Sequence, residues 1–76
     1  MNNRRRIYLN ETYKNLSMLR DIVERLKEQE ETACDNMSKG LQGLECYGKA
    51  KNAIYNLKEA LNSMDDALEY IECAVE

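Results

Sequence analysis

Apolar side chains recur in sevens along the C-terminal half of this chain. Tyr47, Ile54, Leu61, Leu68 and Val75 form one row, and Ala50, Leu57, Met64 and Ile71 form a second, three residues further on. A third row, Ala53, Ala60, Ala67 and Ala74, holds nothing but alanine. Three adjacent rows on a seven-residue repeat predict one long amphipathic helix over about 45–75 that packs lengthwise against other helices. The alanine row predicts that one neighbour comes closer than the usual ~8–10 Å between helix axes.

The N-terminal half carries the same period more weakly. Leu9, Leu16, Val23 and Met37 form a row interrupted by Glu30, with Thr12, Leu19, Leu26 and Ala33 as its companion and Tyr13 and Ile22 broadening the face. A helix over about 5–37 follows. Asn2, Asn3 and Asn10 each suit an N-cap, and an early start is expected because Ile7 and Leu9 would otherwise be stranded. Glu30 falls on the seam itself. Its carboxylate is expected to reach water or a lysine; the sharper alternative makes it a device that sets register and oligomer state.

Between the helices lies a loop over about 38–44, within which Gly40 and Gly43 are expected to supply left-handed backbone. Leu41 and Leu44 are expected to plug that end. Gly48 should cost about 1 kcal/mol relative to alanine inside the second helix. A short loop between long helices makes them antiparallel neighbours. Folding at Leu41–Gln42 brings Leu26 toward Leu57, Leu19 toward Met64, Leu16 toward Ala67 and Leu68, and Leu9 toward Ala74.

The fold class is therefore all-α, an antiparallel two-helix hairpin. Helices of ~40–45 Å packed only in a pair leave much of their stripe wet. Self-association into a four-helix bundle or a larger helical oligomer is expected. The expected interface residues are Leu16, Leu19, Val23, Leu26, Ile54, Leu57, Leu61, Met64, Leu68 and Ile71.

Composition agrees with that picture. There is no proline, and 43% of residues are hydrophobic against 33% charged, too apolar and too periodic for a disordered chain. No apolar run approaches the ~20 residues of a membrane span. The basic Arg4-Arg5-Arg6 leads into polar residues rather than the apolar stretch of a signal peptide. A cytoplasmic protein is the simplest expectation. Net charge is −3, yet those arginines concentrate positive charge at one tip. The acidic body argues against direct DNA binding.

From about residue 35 onward the chain resembles small uncharacterised helical-hairpin proteins of Gram-positive bacteria, their prophages and mobile elements. The likeness rests on Asp35-Asn36-Met37, Leu41-Gln42-Gly43, Glu45, Tyr47, Lys49-Ala50, Asn56-Leu57 and the repeating Ala-Leu pairs. Ser38, Leu44 and Gly48 depart from the pattern, standing where a Pro, a capping Ser and a charged residue are expected. With Leu44 there, Gly43 becomes the expected cap. The resemblance implies the fold and a phage-like context, with host-cell cytoplasm as the setting, and no activity.

Chemistry is mostly excluded. With no histidine, His-based catalysis and metal chemistry fall away. Adjacent acids such as Asp65–Asp66 diverge on a helix, and no P-loop occurs. Neither catalysis nor a cofactor or metal is expected. Cys34, Cys46 and Cys73 form no C-x-x-C pair and are expected as free thiols.

Two clusters suggest binding. Arg4, Arg5 and Arg6 either pair with Glu69, Glu72 and Glu76 across the hairpin or, gathered in an oligomer, hold a phosphate or nucleotide with Tyr8 stacking. Tyr55 and Tyr70, with Asp65, Asp66 and Glu69, lie off the stripe and suit a second contact surface. The expected function is non-enzymatic binding: a phage or mobile-element accessory factor that blocks or sequesters a host component, such as an antiviral defence protein or its nucleotide signal. In one mechanism Glu28, Glu31, Asp65, Asp66 and Glu69 stand in for phosphates in a basic channel. In the other, the arginine tips trap the nucleotide. The competing expectation is a purely structural oligomerisation scaffold. Partners are then the chain itself and a host protein or small nucleotide, with no membrane.

Overall fold

The computed structural model describes residues 1–37, 40 and 43–76. It consists of two helices, α1 over Asn3–Asp35 and α2 over Glu45–Val75. They run antiparallel side by side. Arg20 meets Asp65 midway, and Cys34 packs on Ala50 and Ile54 at the turn end. At the opposite end Tyr13 shares a groove with Ile71 and Val75. The Arg20–Asp65 contact puts the register within about two residues of that expected from folding at Leu41–Gln42. The molecule is a rod of 59 × 14 × 13 Å.

Helix ends show where local sequence decides. Asn2 caps α1, its Oδ1 accepting from the Arg5 N–H at 2.8 Å, so the early start holds. Asn36 closes it: its N–H donates to the Thr32 carbonyl at 3.0 Å, and the Met37 N–H donates to the Cys34 carbonyl at 3.2 Å. α2 is capped at Leu44, not Gly43, and no side chain bonds its first amides. Glu45 in that first turn complements the positive helix end and pairs with Lys49 at 3.3 Å.

Two expectations about the turn are corrected. No described glycine has positive φ, because α1 ends through right-handed backbone at Asn36. Leu44 is 51% exposed and plugs nothing, while Leu41 lies outside the described residues. The turn end is filled instead by Cys34, Ala50 and Ile54, with Tyr47 packed against them.

Along the seam, Ile54, Leu61 and Leu68 are buried, while Leu57, Met64, Ile71 and Val75 are half-buried. From α1 come Leu9, Leu16, Val23 and the half-buried Glu30. The companion row on α1 does not join them. Thr12, Leu19, Leu26 and Ala33 are exposed, so Leu19 and Leu26 do not pack into the seam on Met64 and Leu57. Their place is taken by the row four residues on from Leu9, Leu16, Val23 and Glu30, namely Tyr13, Arg20, Lys27 and Cys34. Arg and Lys can line a seam because their methylene stems lie over apolar surface while their heads reach water.

Candidate functional site

A helix advances about 100° per residue, so side chains three and four positions on lie to opposite sides of a given row. On α1, Leu19 and Leu26 therefore turn one way from the seam residues Leu16 and Val23, and Arg20 and Lys27 turn the other. On α2, Ala53, Ala60 and Ala67, one position before the buried Ile54, Leu61 and Leu68, turn one way; Lys58 and Asp65, four after Ile54 and Leu61, turn the other. The Arg20–Asp65 contact establishes which sides coincide. The hairpin thus has two unlike flanks.

One flank is charged and zipped. Arg20 spans the helices, its Nε donating to Asp65 Oδ1 at 2.8 Å and its Nη2 to Asp65 Oδ2 at 3.3 Å. The same guanidinium also bonds Glu24 and reaches Asp21 at 3.5 Å. Asp65, foremost through its hydrogen bond, holds the Arg20 pKa above the ordinary arginine value. Lys27 pairs with Glu31 at 3.1 Å. Toward the turn a cleft of about 200 Å³ is lined by Glu31, Asp35, Lys51, Ile54, Tyr55 and Lys58. Lys51 stands 5.4 Å over the Tyr47 ring, and its pKa is raised, first by hydrogen bonding to Tyr47.

The other flank is free of charge. On α1 it runs Thr12, Asn15, Leu19, Ile22, Leu26, Gln29, Ala33; on α2 it runs Ala53, Asn56, Ala60, Ser63, Ala67, Tyr70, Ala74. In a chain that is one-third charged, no ionisable carboxylate, amine or guanidinium occurs at any of these positions. Leu19, Ile22 and Leu26 are 55%, 40% and 52% exposed. By the register, Leu19 lies level with Ala67 and Leu26 with Ala60, so a leucine ridge on α1 borders an alanine gutter on α2.

Comparison with protein-family profiles, characterised proteins and solved structures returns no match.

Of the residues expected at an oligomer interface, Leu16, Val23, Ile54, Leu57, Leu61, Met64, Leu68 and Ile71 serve the hairpin's own seam, and Leu19 and Leu26 face outward. Tyr55, Asp65 and Glu69 lie on the charged side with Glu28 and Glu31, whereas Asp66 faces away from α1 and Tyr70, 76% exposed, edges the charge-free flank. At the N-terminal tip Arg4 lies 5.9 Å over the Tyr8 ring, and Arg6 bonds Asn3 at 3.5 Å while its Nε is buried without a partner. Among the described residues no ion pair joins Arg4, Arg5 or Arg6 to Glu69, Glu72 or Glu76. The three arginines do not converge within one protomer.

Cys34 is buried, and Cys46 and Cys73 are exposed. No group of three His, Cys, Asp or Glu among the described residues is placed to hold a metal. No described helix is long and apolar enough to cross a membrane. Ile22 and the alanines Ala53, Ala60 and Ala67 lie on the charge-free flank with Leu19 and Leu26, and their signal is legible once the register is known: a run of positions from which charge is absent.

Proposed function

We propose that this protein is a non-enzymatic binding protein that self-associates through its helices and, in that form, blocks or sequesters a host component, as a phage or mobile-element accessory factor would. The observation that carries the binding role is the charge-free flank. Exposed leucines clustered along one side of an otherwise charged rod are the mark of a contact surface. The charged flank supports the blocking role, since Glu28, Glu31, Asp65 and Glu69 set a row of carboxylates along one side, with Glu31 and Asp65 already paired to Lys27 and Arg20. A basic surface on a host protein is the complement to that row.

Native mass spectrometry of the protein recovered from its host tests this. The expected spectrum shows multiples of the 8.9 kDa chain carrying a further bound component. Reversing Glu28, Glu31, Asp65 and Glu69 to lysine removes a basic protein partner, and raised salt weakens it beforehand. If the component is instead a phosphorylated nucleotide, Arg4, Arg5 and Arg6 to alanine releases it while the oligomer persists. A bare chain at every concentration overturns the proposal.

A further inference from the structure

We infer that the charge-free flank is a two-fold interface occupied by a second copy of this chain, with the ridge of Leu19, Ile22 and Leu26 of each copy seated in the Ala53, Ala60 and Ala67 gutter of the other. It rests on the proposal above that the protein self-associates, and adds which face is used and what fills it.

Area gives the first argument. The hairpin exposes 5842 Å², whereas a compact monomer of its mass exposes about 4,800 Å². The excess, roughly 1,000 Å², is close to the ~800 Å² that each partner buries in a stable interface. The radius of gyration, 17.3 Å against about 11 Å for a compact chain of this length, says the same of shape. Shape on the flank gives the second. A ridge of large side chains beside a gutter of small ones is its own complement under a two-fold axis along the rod, because that rotation lays each α1 over the partner's α2. Every pair of neighbouring helices in the resulting bundle is antiparallel. Charge gives the third: a copy docked here buries no ionised side chain from the flank, whereas docking on the Arg20–Asp65 side would bury several.

Sedimentation equilibrium on the full chain, with far-UV circular dichroism alongside, tests the face as well as the association. The wild type is expected as a dimer at micromolar concentration. Leu19→Lys with Leu26→Lys should weaken association at least about a hundredfold. Should that variant lose its helicity, Ala60→Leu decides, since leucine is a strong helix former at a position exposed in the protomer. Filling the gutter should weaken association about tenfold or more. A wild type that stays monomeric at 100-fold higher concentration overturns self-association altogether. A dimer unmoved by either variant, or strengthened by Ala60→Leu as ridge-on-ridge packing would require, overturns the face while leaving self-association standing.

Discussion

The two flanks of the hairpin are built on the same pair of helices and differ in nearly every property that governs contact. One is bridged by Arg20 to Asp65 and carries most of the charge that faces the groove; the other has no charge and leaves Leu19, Ile22 and Leu26 in solvent. In α1, the row that closes the hairpin and the row that leaves leucines exposed are different rows of the same helix. Polar groups that can bond across the groove finish the closed side. Apolar groups with nothing to cover them define the open side.

Substitutions on the seam and on the two flanks should differ in the size of their effects. Leu61→Ala removes a buried side chain from the seam that both flanks share and should cost about 2–5 kcal/mol in thermal or denaturant unfolding. Next comes the concentration dependence of melting. If the open flank is covered by another copy, the midpoint rises with protein concentration, and it stays flat in the Leu19→Lys, Leu26→Lys variant. Gly48→Ala should stabilise by about 1 kcal/mol, because a Cβ there meets nothing within 4 Å and alanine favours the helix. That gain should be equal with either flank disabled, which makes it the control. Arg20→Ala should give the smallest loss, and the loss should shrink as sodium chloride rises toward 1 M. Sodium sulfate should act in the opposite sense on the open flank, strengthening self-association there. A parallel response of both flanks to salt would erase the distinction.

Much of this fold is legible in the sequence because α2 repeats without interruption. Ile54, Leu61 and Leu68 fall where a seven-residue period puts them, and they are buried. α1 is harder to read. Its row Leu9, Leu16, Val23 can be flanked on either side to make a seam, and hydrophobicity favours Leu19 and Leu26 over Arg20 and Lys27. The structure chooses the second pair, since amphipathic stems can line a two-helix groove and the guanidinium finds Asp65 across it. The same choice frees the leucines. The start of α2 at Glu45 falls where the seven-residue period puts it; only the cap differs, because Leu44 offers no side-chain acceptor and local chemistry therefore points to Gly43. The arginine cluster was visible as a cluster, but not that Arg4 would lie on Tyr8 and Arg6 turn inward.

Cys34 has a consequence of its own. Its side chain is 1% exposed beneath Ala50 and Ile54, while Cys46, on the first turn of the opposite helix, is open to solvent. An alkylating reagent therefore meets two thiols at one end of the rod with very different access. The lag between their modification times how often the helices part at the turn, a clock the molecule already carries without any added label.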